Sequence, residues 1–187
     1  MVNPEFLDWD PRRPGWIAGT RRCPSPNCNA RPNDTVIDLV VVHGISLPAG
    51  CFGGPHIERL FLNTVDIGAH PTFSSLDGLT VSSHFLVRRD GEVLQFVPTH
   101  LRAWHAGISE FAGRRQCNNF SVGIEFEGAD EVPYEMAQYA SGRRLLGLLV
   151  SRYPNIHTGR IVAHSDVAPG RKTDPGPSFD WSQIEQV

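Results

Sequence analysis

A chain of 187 residues is about the size of one domain and is long enough to bury a substantial core. Its 40% hydrophobic and 20% charged residues are typical of a globular protein. A net charge of -3 without a basic stripe argues against a nucleic-acid-binding protein. No apolar run approaches the ~18 residues of a membrane span, so we expect no membrane partner.

The N-terminus predicts a cytoplasmic location. It carries acidic residues where a secretory signal needs positive charge, and it lacks an apolar segment of the required length. The four cysteines are then expected to stay reduced. Cys23 and Cys28 have metal-knuckle spacing, but no second Cys/His pair accompanies them, so a structural zinc site there is disfavoured.

The first third of the chain predicts an arm, a strand and a helix. Residues 1–35 are rich in Pro, Arg and Asn, and we expect an irregular N-terminal arm packed on the domain. Residues 36–42 are apolar and β-branched, which predicts a buried strand. A short helix at 57–62 precedes a turn-rich connection at 63–79, and connections of this length are often functional.

The rest of the chain alternates strands with one long helix. The predicted elements are, in chain order, a β-hairpin at 81–87 and 92–97, a strand at 120–126, a helix at 134–153 and a strand at 160–164. An Asp-Gly pair favours the tight turn of the hairpin. The helix has an apolar face at helical spacing and stops before Pro154. We predict a single α/β domain over residues 1–187.

Three residues predict a metal site. His43 and His164 each close an apolar run, and Asp174 lies in a stiff Pro/Gly loop ten residues after His164. Histidines that end neighbouring strands can meet at one edge of a sheet. Two imidazoles and a carboxylate leave one position open for water, as in catalytic zinc sites. Either histidine alone is also consistent with a packed strand end.

Two further residues could supply acid–base chemistry. The strand at 120–126 places Glu125 on a face with the small residues Ser121 and Gly123, where it could orient or deprotonate a water molecule. Lys172 is two residues from Asp174 and could stabilise an oxyanion or protonate a leaving amine. The alternatives are a charged sheet edge for Glu125 and a solvated loop lysine for Lys172.

A series of motifs in order along residues 21–181 resembles the AmpD-type N-acetylmuramoyl-L-alanine amidases. The motifs are VVHGISLP (41–48), GGP (53–55), VSSHFLVRRDG (81–91), AWHAG (103–107), CN (117–118), GIEFEG (123–128) and KTDPGP (172–177). The resemblance implies the fold shared with peptidoglycan recognition proteins and T7-type amidases, a central mixed β-sheet flanked by helices. It also implies that His43, His164 and Asp174 bind one Zn²⁺ per chain, with Glu125 and Lys172 as the catalytic pair.

The same resemblance implies a substrate. The enzyme would cleave the amide between 1,6-anhydro-N-acetylmuramic acid and L-alanine in muropeptides recycled in the cytoplasm, and so clear fragments that induce β-lactamase. Trp104, His105 and Arg171 are expected to contact this small-molecule substrate. For His84 and His105, a packed position in the core is as consistent with the sequence as a position in the substrate pocket. We expect a monomer.

The chain also departs from the family pattern at Gly44, where we expect Asn, and at Thr80 and Gln116, where we expect Arg. These departures affect how the stem peptide is held rather than the hydrolytic residues. Two alternatives stay open: an amidase of the same fold that acts on intact peptidoglycan, and a non-catalytic peptidoglycan-binding module. Retention of all three expected ligands disfavours the binding module.

Overall fold

The apolar run ahead of His43 forms an inner strand of a mixed sheet in the computed structural model, which describes residues 6–184. The strands within these residues are β1 (Asp8–Trp9), β2 (Ile17–Ala18), β3 (Arg21–Arg22), β4 (Cys28–Ala30), β5 (Leu39–Ile45), β6 (Phe85–Val87), β7 (Val93–Gln95), β8 (Leu101–Ala103), β9 (Glu110–Phe111), β10 (Arg114–Arg115), β11 (Ser121–Glu127) and β12 (Ile161–Ala163). Six of them form the main sheet in the order β12-β5-β11-β6-β7-β3. β6 and β7 pair antiparallel, and the other neighbours in this sheet pair parallel.

Helices cover both faces of the sheet, so the predicted fold class is confirmed. The α-helices are α1 (His56–Phe61), α2 (Met136–Arg152) and α3 (His164–Val167), and the 3-10 turns are Pro71–Leu76, Cys117–Asn119, Thr158–Arg160 and Trp181–Gln183. Leu145 and Leu149 of α2 pack with Val40 and Val42 of β5 in one core cluster. No helix between residues 6 and 184 is long and apolar enough to cross a membrane.

The second face of the sheet carries the chemistry. Val41 belongs to a separate core cluster that contains Ala106 and Val167 of α3. Because side chains alternate along a strand, His43 lies on the same face as Val41, away from α2. Parallel pairing then places Glu125 of β11 directly opposite His43.

The predicted hairpin, the predicted strand at 120–126 and the long helix are confirmed, with shifted ends. The strand predicted at 36–42 is β5, Leu39–Ile45. It begins later because Asp38 forms ion pairs with Arg114 and Arg160, and it ends later because β11 pairs with β5 as far as Ile45. His43 therefore lies inside the strand instead of closing it.

Two other predictions need correction. His164 does not end a strand: β12 stops at Ala163, and His164 is the first residue of α3, where the Ala163 N–H donates to the Asp166 carboxylate. The arm predicted over 1–35 is more regular than expected from residue 6 onward. β1 pairs with β2, β3 joins the main sheet and β4 pairs with β8, so main-chain hydrogen bonds order a segment that has no apolar periodicity.

Candidate metal centre and active site

Parallel strands bring the predicted ligands together at their carboxyl ends. β12, β5 and β11 are neighbours, and Ala163 of β12 pairs with Val42 of β5. His164 follows β12 directly, so it lies beside His43, as ligand sites in open α/β sheets commonly do. The Asp174 carbonyl accepts a hydrogen bond from the Ser165 N–H at 3.1 Å, which holds the Pro/Gly loop against the start of α3.

The three predicted ligands converge on one point. Nδ1 of His43 is 2.9 Å from Nδ1 of His164, and Oδ2 of Asp174 is 3.0 Å from the His164 nitrogen and 3.3 Å from the His43 nitrogen. Both histidines are buried, and within residues 6–184 this is the set of His, Cys, Asp or Glu side chains grouped closely enough to hold a metal ion.

The hydrogen bonding of a neutral His164 is compatible with a cation at this point. Its Nε2–H donates to the Ala106 carbonyl at 3.2 Å, which leaves a lone pair on Nδ1 facing the Asp174 carboxylate. Two acceptors 3.0 Å apart need a positive charge between them. Tetrahedral nitrogen ligands about 2.0–2.1 Å from zinc lie roughly 3.3 Å from each other, close to the distances in this cluster.

Glu125 lies beside this cluster with one oxygen free. Its side chain is nearly buried (8% exposed), Oε1 is 3.9 Å from Nδ1 of His43, and Oε2 has no hydrogen-bond partner among the residues of the structure. Burial raises the pKa of Glu125 well above its usual value, and the nearby Asp174 carboxylate raises it further. A carboxylate in this setting is a stronger base than an exposed glutamate.

Two of the candidate ligands, His43 and Asp174, have the charge states that metal binding needs. Burial lowers the pKa of His43 to about 4, against an opposing effect of Asp174, so the ring is neutral at neutral pH. Burial by itself would raise the pKa of Asp174, but the adjoining rings of His164 and His43 outweigh it, and this pKa is lower than usual. Neutral imidazoles and an ionised carboxylate are the forms that bind zinc.

A cavity of about 460 Å³ opens onto the cluster. Lys172, Trp104, His105, Arg171 and Thr80 all line it, as do Glu125 and the three ligands. The structure therefore brings together every site residue that the sequence predicts. The end of the 63–79 connection also reaches the cavity, through Leu79.

Two of the cavity-lining residues also make polar contacts within the protein. Nε1 of Trp104 donates to the Asn29 side chain at 2.7 Å. The Arg171 guanidinium donates to the carbonyls of Ala106 and Ile108 at 2.6 and 2.7 Å. Arg171 also borders a neighbouring groove of about 620 Å³, and Gln116 lies in that groove.

The two other histidines near the site differ in environment. His84 is a packed core residue: its Nδ1 accepts from the Gly123 N–H at 3.0 Å and its Nε2–H donates to the Leu101 carbonyl at 3.1 Å. His105 lines the cavity, yet both of its ring nitrogens face protein groups, His43 and Ser121. Burial lowers the pKa of His105 well below its usual value.

The structure explains why position 44 is a glycine, which the sequence alone does not show. A Cβ at this position would overlap the hydroxyl oxygen of Tyr134 and approach Cα of Pro175 within 3.2 Å. The Tyr134 hydroxyl donates to the Pro175 carbonyl at 2.9 Å, next to the candidate ligand Asp174. A tyrosine thus occupies the space where a larger residue after His43 would lie.

Comparison with known proteins points to one chemistry. Residues 33–177 match the Amidase_2 family model, described as N-acetylmuramoyl-L-alanine amidase. The 1,6-anhydro-N-acetylmuramyl-L-alanine amidase AmpD of Citrobacter freundii is 52% identical over 173 residues, 92% of each chain.

Solved structures agree with these sequence matches. The crystal structure of a selenomethionine derivative of AmpD has a TM-score of 0.89 at 51% identity, covering 92% of this chain and 96% of that one. AmiD from Escherichia coli, solved with anhydro-N-acetylmuramic acid-L-Ala-D-gamma-Glu-L-Lys as substrate, has a TM-score of 0.57 at 32% identity. That match covers 84% of this chain and 60% of AmiD.

Proposed function

The chain belongs to the N-acetylmuramoyl-L-alanine amidase family, and on that premise we propose that it hydrolyses one amide bond of anhydro-muropeptides. The bond joins the lactyl carboxyl of 1,6-anhydro-N-acetylmuramic acid to L-alanine of the stem peptide. The observation that carries the proposal is the cluster of His43, His164 and Asp174, with Glu125 beside it, in a chain 52% identical to AmpD.

In this proposal His43, His164 and Asp174 hold one Zn²⁺. When bound, zinc supplies a Lewis acid that polarises a carbonyl and lowers the pKa of water to about 7. The converging lone pairs of the three ligands support this assignment, and so does the neutral state of His43.

Glu125 is proposed to act as the general base. Its unpartnered Oε2 accepts a proton from the water that attacks the lactyl carbonyl carbon. The carbon–nitrogen bond then breaks, and the alanine nitrogen leaves with a proton as a free amine. Lys172 lines the same cavity and is proposed to stabilise the oxyanion or to protonate that nitrogen.

Substrate binding is proposed to use the rest of the cavity. Trp104 supplies a flat apolar surface and Arg171 a cation at the border between the cavity and the neighbouring groove. Thr80 and Gln116 are neutral, so they offer no charge to a stem-peptide carboxylate. We therefore expect this chain to hold that part of the stem peptide less tightly than an enzyme with arginines at these positions.

The proposal includes recycling of wall fragments in the cytoplasm, and with it removal of the muropeptides that induce β-lactamase. This part rests on the resemblance to AmpD. Fractionation of cells that express a tagged full-length chain tests the location, and recovery of the tag outside the cytoplasmic fraction would overturn it.

The decisive experiment is mass analysis of products from an anhydro-muramyl tripeptide, before and after chelation and after return of zinc. We expect free tripeptide and 1,6-anhydro-N-acetylmuramic acid from the zinc-loaded protein and neither product from the chelated protein. Unchanged cleavage by metal-free protein would refute the proposal. Equal turnover of reducing-end muropeptides would indicate an amidase for intact peptidoglycan, and binding without turnover would indicate a binding module.

A further inference from the structure

One loop contacts the outer nitrogens of both histidine ligands. The Ala106 carbonyl accepts from Nε2 of His164, and Nδ1 of the preceding residue, His105, is 3.0 Å from Nε2 of His43. The loop is itself held by the buried Asn118, whose Oδ1 accepts from the main-chain N–H groups of His105 and Ala106 at 3.2 and 2.8 Å. The orientation of both ligands therefore depends on this one loop.

The direction of the hydrogen bonds at His105 follows from the last group in the series, the Cys117 carbonyl. The Cys117 carbonyl can only accept, and the Ser121 hydroxyl oxygen is 2.6 Å from it, so Ser121 donates to Cys117. The Ser121 oxygen is then available to accept, and Nε2 of His105 lies 3.2 Å away. His105 therefore carries its proton on Nε2 and has a lone pair on Nδ1.

The lone pair of His105 sets the proton position in His43. Because Nδ1 of His105 is an acceptor, Nε2 of His43 must be the donor at their 3.0 Å contact. A neutral His43 then has no proton on Nδ1, the atom that faces His164 and Asp174. Neutral imidazole has two tautomers, and this chain of bonds selects the one that can bind a metal.

We propose that His105, oriented by Ser121, is a positioning residue that holds His43 in its metal-binding tautomer. The proposal builds on the zinc site of the proposed function and adds a role that substrate contact would not require. Without His105, the proton of His43 can move to Nδ1 and donate to Oδ2 of Asp174, 3.3 Å away. In that arrangement the Asp174 carboxylate accepts a hydrogen bond from Nδ1–H of His43, and the Nδ1 lone pair that zinc needs is no longer available.

The packing around His105 suits this role. A Cβ on Gly123 would lie 2.6 Å from Cγ of His105 and 2.7 Å from Oγ of Ser83, so the missing side chain makes room for the ring. The rings of His43 and His105 meet at an interplanar angle of 89° with centroids 5.1 Å apart. Within residues 6–184 no carboxylate pairs with His105, so a neutral ring is favoured.

The first test is zinc affinity, measured by competition with a chromophoric chelator. His105→Leu removes the acceptor, and we expect zinc to bind roughly 10- to 100-fold more weakly, as for other outer partners of metal ligands. His105→Asn keeps an acceptor near the Nδ1 position and is expected to recover part of the loss. Wild-type affinity in His105→Leu, or equal losses in the two variants, would overturn the proposal.

A matched pair of serines separates this role from loss of packing. Ser121→Ala removes the hydroxyl that accepts the hydrogen bond from His105. We expect it to weaken zinc binding by a smaller factor than His105→Leu. Ser83→Ala removes an equally buried hydroxyl beside Gly123 that has no partner, so zinc affinity should not change. Equal effects of the two serine variants would count against the proposal.

The second test reads the tautomers directly and applies even if His105→Leu fails to fold. Long-range ¹H–¹⁵N NMR spectra of the zinc-loaded wild-type chain should show His105 protonated on Nε2 and bare on Nδ1. The metal-free chain should show the same for His43. A proton on Nδ1 of His105 would refute the proposal. Failure of wild-type protein to bind zinc would instead refute the proposed function, because the spectrum of the metal-free chain does not depend on zinc binding.

Discussion

Because Oε2 of Glu125 is buried without a hydrogen-bond partner among residues 6–184, we predict that this residue lowers the stability of the folded protein. In Glu125→Gln the buried group loses its charge but keeps its size. Burying a charge costs more than burying a neutral polar group, and each unit by which burial raises a carboxyl pKa corresponds to about 1.4 kcal/mol. Relief of about 2 kcal/mol corresponds to roughly 4–8 °C in melting temperature for a chain of this length. We therefore expect the inactive variant to be more stable than the wild type in metal-free protein.

The pH dependence of this gain follows from the raised pKa of Glu125. In the unfolded chain the carboxyl ionises near its ordinary value of 4.5, whereas in the folded protein it holds its proton to a higher pH. The unfolded state therefore loses its proton first, and the wild type loses stability as pH rises above 4.5. The advantage of Glu125→Gln should be small near pH 5 and should grow toward pH 8.

The assay is thermal unfolding followed by circular dichroism, with chelator present, at several pH values between 5 and 8. Glu127→Gln is the matched control, since Glu127 lies two residues further along β11 and is also buried. Its carboxylate accepts from the Gly53 N–H at 2.7 Å and contacts Arg88, so its neutralisation should lower stability. Destabilisation by Glu125→Gln at pH 8, or a gain independent of pH, would refute the reasoning.

Three further predictions concern the ligands and their surroundings. Asp174→Ala should abolish stoichiometric zinc and turnover, and metal analysis after dialysis would contradict this if zinc content were unchanged. The rate should fall at acid pH as Glu125 takes up a proton, since the pKa of His43 is lowered to about 4 and its protonation comes later; a flat profile from pH 8 to 5 would contradict this. Gly44→Ala should cost about 1–3 kcal/mol in urea unfolding, because the new methyl overlaps the Tyr134 hydroxyl, and Tyr134→Phe should recover part of that cost. Equal costs in both backgrounds would show that this overlap is not the cause.

The sequence was sufficient to predict that the three candidate ligands and Glu125 lie together, because the evidence for this is local. His43 follows an apolar β-branched run, Glu125 alternates with apolar residues along its strand, and parallel pairing places the two residues side by side. The position of Asp174 in a Pro/Gly loop could likewise be read from the residues themselves. The strand ends were less accurate, because Asp38 and its arginine partners stop the pairing through contacts made far away in the chain.

The surroundings of the ligands could not be predicted in this way. The contact of His164 with the Ala106 carbonyl is made by the main chain, so no residue type indicates it. The role of His105 depends on the hydroxyl of Ser121, 16 residues away, and on the Cys117 carbonyl to which that hydroxyl donates. The two small residues on the face of Glu125 did predict free space. The structure shows that the His105 ring packs over Gly123 and Ser121 bonds to it, so this space belongs to the protein rather than to a ligand.

The position of β12 at the edge of the sheet bears on when the site can form during synthesis. His43 and Glu125 are synthesised before His164 and Asp174, which reach the site only when β12 pairs with β5. A nascent chain that ends before residue 160 has one of the three ligands. A site made of all three residues therefore forms only after synthesis has passed Asp174 and β12 has paired with β5.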